Sequence, residues 1–258
     1  MKYFLLALLA SCTTLGPMPG TTAVSAVPAG RPGVEVQAGI IPGYYLSQGA
    51  ESGESSGQET NALSVAFEPD RLLGIPGLIV GARAAGGDGD RPVEPFIGYR
   101  TKLDAQGTFS AAGILYGTRA SAAQQGADYT ATRGGGELAI DARVLELGRL
   151  LSIHAQAAAA VTALSASGHY CTDVNGFATD CGDTKANVDA NLSGVFPSAT
   201  LTISLDAGRR PTGFVQSARL ALLGEAGTMP TFVSGEQHNP RTYTSLGLTL
   251  TLGLGSDR

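Results

Sequence analysis

Tyr243-Thr244-Ser245-Leu246-Gly247-Leu248-Thr249-Leu250-Thr251-Leu252-Gly253-Leu254-Gly255 sets a leucine at every second position from 246 to 254. Strand side chains alternate between two faces, so a β-strand gathers these leucines on one side, whereas a helix scatters them around its axis. The other face holds Gly247, Thr249, Thr251 and Gly253, where a water-facing strand more often carries Lys, Glu or Gln. Small residues there suit a strand with lipid on one side and a crowded interior on the other.

The rest of the chain repeats the pattern. Alternation marks strands over residues 34–46, 60–68, 77–85, 93–103, 108–120, 129–145, 151–170, 185–205, 214–223 and 242–254. Ten is an even number, and most of these strands reach the nine to eleven tilted residues that a bilayer crossing needs. No run of about 20 apolar residues follows the N-terminal segment, which excludes transmembrane helices. The stretch Arg149–Ala166 is rich in Ala and Leu, strong helix formers. Its alternation of Ser152, His154 and Gln156 with Leu151, Ile153 and Ala155 favours a strand.

The connections form a second pattern. After even-numbered strands come short links over 69–74, 104–107, 146–150 and 206–213. After odd ones come longer polar stretches over 47–59, 86–92, 121–128, the loop between the cysteines, and 224–241. Alternating long and short connections are those of an all-β, antiparallel up-and-down barrel with both termini at one end. A soluble β-sandwich is the rival fold, since half-buried sandwich strands also alternate.

Parity assigns the faces. Leu63, Val65, Phe67, Leu78, Val80, Leu138, Ile140, Val144, Leu201, Ile203 and Leu205 share the uncharged face, where a Lys or Arg at mid-membrane would cost roughly 2–4 kcal/mol. The opposite parity collects Glu35, Arg83, Glu94, Arg100, Arg133, Glu137, Asp141, Arg143 and Arg219, along with Glu68 and Lys102. A barrel of about ten strands is too narrow for an open porin-type channel, so acids and bases in similar numbers are expected to pair inside it. The alternative is a narrow polar conduit tuned by Arg83, Arg100, Arg143 and Glu137. Gly134-Gly135-Gly136 reads as a bend or bulge within a strand. Tyr44, Tyr45, Phe67, Tyr99, Phe109, Tyr116, Tyr129, Phe196, Phe214 and Tyr243 fall toward strand ends, where interfacial aromatic girdles lie.

Composition agrees with a non-aqueous setting. Charged residues make up 15%, Gly reaches 36 of 258, Trp is absent and the formal net charge is −5. No basic patch or paired CxxC motif is present, which argues against nucleic acid as a partner.

Residues 1–26 read as an export signal: Lys2 is the positive region, Phe4–Ala10 the apolar core, and Val24-Ser25-Ala26 the small residues of a cleavage site. Leu9-Ala10-Ser11-Cys12 also fits a lipobox, in which Cys12 would be lipidated; both readings imply export. Residues 27–33 form a short periplasmic segment and 34–258 the barrel, as one domain. Cys171 and Cys181 remain as a pair in a compartment where disulfides persist. Closing so short a loop would stabilise the fold by roughly 2–3 kcal/mol in the chain-entropy model.

Over residues 34–255 the chain resembles small single-chain bacterial outer-membrane β-barrels, in its exported N-terminus, alternating strands, connection pattern and final leucine ladder. That resemblance implies location in the bacterial outer membrane, contact with outer-membrane lipids and the barrel assembly machinery, and an extracellular ligand for the external loops. The chain departs from that pattern at its end: Leu254-Gly255-Ser256-Asp257-Arg258 lacks the closing aromatic residue common in such barrels.

Signs of catalysis are sparse. Gly53-Glu54-Ser55-Ser56-Gly57 spells G-x-S-x-G, yet it lies in a polar stretch with no helix after it. His169 and His238, near Asp128, Asp173 and Asp180, leave a surface hydrolase as a third reading behind a structural or surface-interaction barrel and a small-solute pore. Asp88-Gly89-Asp90 and Asp173-Val174-Asn175-Gly176 offer oxygen ligands but do not continue into an EF-hand, so neither a metal nor a cofactor is expected.

Overall fold

The structure, a computed structural model, describes residues 33–41, 44–47, 55–56, 60–69, 73–86, 93–124, 127–148, 150–172, 186–207, 215–233 and 236–255. Twelve strand segments follow one another: β1 (Val34–Ile41), β2 (Tyr44–Ser47), β3 (Ser55–Ser56), β4 (Thr60–Phe67), β5 (Leu78–Gly86), β6 (Val93–Lys102), β7 (Phe109–Gln124), β8 (Ala127–Leu147), β9 (Leu151–Thr172), β10 (Ala186–Ala207), β11 (Val215–Val233) and β12 (Glu236–Leu254). All ladders are antiparallel, and each segment from β4 to β12 pairs with the next.

Closure comes from β1, which pairs with β4 on one side and with the leucine ladder of β12 on the other, from Val34↔Leu254 to Ile40↔Leu248. The segments β1 and β2 form one stave: Ile40 faces Leu248 and Tyr44 faces Ser245, so four residue steps oppose three, as at a bulge. Likewise β3 continues the stave of β4. The twelve segments thus make a closed ten-stranded up-and-down barrel.

The outer wall carries the side chains that parity assigned to it. Leu63, Val65, Leu138, Ile140, Val144, Leu201, Ile203, Leu205, Leu246, Leu248 and Leu250 are all exposed, while Thr249, Thr251 and Ser245 of β12 are buried inside. A band of exposed leucine, isoleucine and valine around a closed barrel is the surface of a chain that crosses a lipid bilayer. Among the described residues no helix is long and apolar enough to do so, and the Ala-rich segment after Arg149 is the strand β9.

Two expectations are corrected. Most of the polar stretch 121–128 and of 224–241 is strand, not loop: β7 and β8 run on to Gln124↔Ala127, and β11 and β12 to Val233↔Glu236. Outside the bilayer a hairpin needs no apolar alternation, so polar composition concealed it. Second, Gly134–Gly136 forms no bulge, since the β7–β8 register runs unbroken through Tyr116↔Gly135. Gly135 makes room: a Cβ there would strike the Tyr116 ring and the Val161 carbonyl oxygen. Gly81 opposite Phe96 and Gly227 opposite Tyr243 repeat this pairing of a glycine with an inward aromatic ring.

The aromatic side chains therefore divide. Tyr99 and Phe109 are exposed on the outer wall, as a girdle requires, whereas Tyr116, Phe196 and Tyr243 are buried in the lumen. The side chains of Tyr44, Tyr45, Tyr129 and Phe214 lie outside the described residues.

A candidate functional site in the barrel lumen

Inward-facing charges assemble into three clusters. In the first, Glu94 of β6 bridges two arginines, accepting from Arg83 Nε of β5 and Arg133 Nε of β8, both at 2.7 Å. Arg83 also reaches Glu137 of β8 at 3.3 Å and lies 4.1 Å above the Tyr116 ring, a cation–π stack. The Tyr116 hydroxyl is 2.7 Å from Thr162 Oγ1, which fixes the ring against β9. Two positive and two negative groups make this cluster formally neutral, as a buried ionic group must nearly be.

The second cluster lies nearer the end where β1 begins and β12 finishes. Arg100 of β6 reaches Glu35 of β1 at 2.5 Å and Glu68, just after β4, at 3.0 Å.

The third cluster joins four neighbouring staves at the same end. Arg219 of β11 pairs with Asp206 of β10 at 2.5 Å and stands 4.0 Å from Asp141 of β8. His154 of β9 holds Asp141 through Nδ1 at 2.6 Å, contacts Ser152 Oγ through Nε2 at 3.0 Å, and lies 3.8 Å from Asp206. Ser152, His154 and Asp141 stand in the hydrogen-bond order of a hydrolase triad. Glu146 and Asp206 face Ser152 in register, and their carboxylates pair with Arg143 and Arg219. The arrangement suits a clamp across β8, β9, β10 and β11.

Of the residues singled out by parity, the structure brings Glu35, Arg83, Glu94, Arg100, Arg133, Glu137, Asp141 and Arg219 into these clusters. Arg143 stands apart. It is part-exposed at the end of β8, pairing with Glu146 at 2.6 Å and donating to the Gln106 carbonyl at 3.2 Å. Sequence reasoning missed Asp206, placed in a turn, and His154, taken only as part of an alternation. Another lumen contact went unread: Tyr243 donates to Glu225 at 2.5 Å. The inward parity of Glu225 with Leu223 and Ala221 was the available signal, hidden because residue 225 fell in a segment read as loop.

The charges of these clusters are buried inside the barrel. Arg83, Glu94, Arg100, Glu137 and Asp141 are between 1% and 6% exposed, although they point into the centre of the barrel. Water in an open channel would touch these side chains.

Cys12, Cys181, Asp173, Asp180 and Asp88–Asp90 lie outside the described residues, and so do the side chains of Cys171, His169, His238 and Asp128. Among the described residues no group of three or more His, Cys, Asp and Glu could hold a metal ion.

No protein-family model matches the sequence, and no curated protein does. Solved structures similar to this chain include three bacterial outer-membrane barrels. Neisserial surface protein A is 10% identical, with 85% of this chain and 96% of that chain covered and a TM-score of 0.33. Ail, the attachment invasion locus protein of Yersinia pestis, is 8% identical, with 87% and 100% covered and a TM-score of 0.31. The translocator domain of the autotransporter NalP from Neisseria meningitidis is 11% identical, with 89% and 91% covered and a TM-score of 0.39. The closed ladder and apolar belt carry the fold assignment on their own. The architecture is that of the bacterial outer-membrane barrels.

Proposed function

We propose that this membrane-spanning barrel is a structural or surface-interaction protein of the bacterial outer membrane, with its far end as the contact surface and its lumen closed. One observation carries the reading: the central charges exclude water through mutual pairing. Residues 1–26 act as the export signal, with Cys12 as the lipid acceptor if the lipobox is used. The pair Cys171 and Cys181 staples the loop after β9. Outer-membrane lipids, the barrel assembly machinery and an extracellular ligand are its partners.

A porin-like conduit for small polar solutes is the second reading, favoured by the inner face of β12, where Ser245, Thr249 and Thr251 are small and uncharged and present no bulky plug. Planar bilayers decide between the two. The purified barrel should be electrically silent, and Arg100→Ala, which removes the guanidinium that reaches both Glu35 and Glu68, should be the variant that leaks. Reproducible conductance steps in the unaltered protein, shifted by Arg100→Ala, would overturn the closed-lumen reading.

A further inference from the structure

Two prolines unzip the barrel wall. The Val161 carbonyl points toward Gly135 of β8, so the facing pair Val161–Pro197 is not hydrogen-bonded and Pro197 turns its main chain toward β11. Proline has no N–H to give there, and among the described residues the β10–β11 ladder begins only at Ser198. The β6–β7 seam behaves alike. The Gly113 carbonyl points toward Gly98 of β6, so Tyr99 and, in the same parity, Pro95 turn toward β7; that ladder stops at Phe96↔Tyr116. Beyond these prolines β7, β8, β9 and β10 continue as a four-stranded ladder, with the Thr118 hydroxyl still donating to the Val93 carbonyl of β6 at 2.8 Å.

Among the described residues, the β10 side of that ladder ends as an unpaired edge. From Ala186 to Leu192 the strand is laddered to β9 alone among the described residues. By the parity of Pro197, residues Asn187, Asp189 and Asn191 direct their main-chain groups away from β9. An exposed edge is normally blunted by lysines, prolines or several charges. This stretch holds one ionisable residue, Asp189, and no Lys or Pro, whereas the corresponding end of β12 carries Glu236, His238, Pro240 and Arg241.

We propose that the β10 edge over Ala186–Leu192 is a strand-addition site for an extended, low-charge peptide segment of a partner protein. This rests on the surface-interaction reading and names the chemistry of its contact. Recognition runs through main-chain donors and acceptors at every second residue, with side chains secondary.

A fluorescent Thr–Val repeat peptide, titrated against the full barrel in lipid nanodiscs, tests it, with the same peptide N-methylated at alternate residues as control. The unmodified peptide binds saturably and the N-methylated one does not. Asn191→Pro, which deletes an outward donor but no β9 ladder bond, weakens binding about five- to tenfold. Asn191→Ala leaves it unchanged. Absent binding, or equal losses in both variants, overturns the proposal. Conductance on the same preparation separates the two readings: a silent barrel that binds no peptide removes strand addition alone, and a conducting barrel removes the closed lumen.

Discussion

The two halves of this barrel obey different rules. At bilayer depth every stave takes part: leucine, isoleucine and valine face out, charges face in, and the wall closes on itself. Beyond Pro95 and Pro197 the staves are unequal. The segments β4, β5 and β6 have 8, 9 and 10 residues, while β8, β9 and β10 have 21, 22 and 22. A 22-residue strand is roughly 70 Å long, about twice what a tilted crossing uses. Lipid and the pairing of inward charges dictate sequence in the lower half, whereas in the upper half strand pairing and turn chemistry suffice.

The sharpest way to break the contrast is to empty the lower half of its central acid. Glu94→Gln takes the shared carboxylate away from the buried Arg133 and from Arg83, which keeps Glu137, and should cost about 3–5 kcal/mol in equilibrium urea unfolding from micelles. A loss near zero would mean that water already solvates the cluster. Next comes the room made for rings. Gly135→Ala drives a methyl into Tyr116 and the Val161 carbonyl, and should cost about 1–3 kcal/mol. Gly134→Ala, whose methyl would meet only the Tyr116 carbonyl at 3.3 Å and the Gly117 Cα at 3.9 Å, should cost less.

A third change would blur the boundary itself. Pro197→Val returns an N–H toward β11, so the ladder should extend past Gly227 to Thr228, with slower amide exchange there and about 0.5–1.5 kcal/mol of added stability. Unchanged exchange would show that something other than proline splits the wall. The smallest effect lies outside the membrane, in the turn between β6 and β7. The Asp104 carboxylate accepts the Phe109 N–H at 2.8 Å, which holds its pKa below the ordinary 3.8. A depressed carboxyl pKa gives stability that is present above 3.8 and fades as pH falls through the lowered value. Asp104→Asn should lower the melting temperature slightly at neutral pH and leave it nearly unchanged below the lowered pKa, which flattens the Asp104 part of the acid-side slope.

The contrast also explains what could be read in advance. Leu246–Leu254, Leu138–Ile140 and Leu201–Leu205 declare their faces because lipid tolerates little else, and their inward neighbours follow by parity. Hairpins beyond lipid escape this logic, so Ser121–Asp128 and Gly224–Arg241 looked like loops. Pairing inside the lumen escapes it as well. Glu35 and Arg100 are 65 positions apart and Arg83 and Glu137 are 54. Which charges meet depends on the stagger of staves around the barrel, which no local pattern encodes. The glycines opposite Phe96, Tyr116 and Tyr243 become legible only once the register is known.

Arg100 also bears on how the molecule comes apart. The first strand is joined to the last by a ladder, and that seam is where the hoop could open with least topological rearrangement. Yet Arg100 on the sixth segment grips Glu35 on the first across the lumen, like a spoke set inside a rim. Parting the rim at Val34 and Leu254 would leave the first strand tethered from within, so a breach at the seam can close again before the strand is lost.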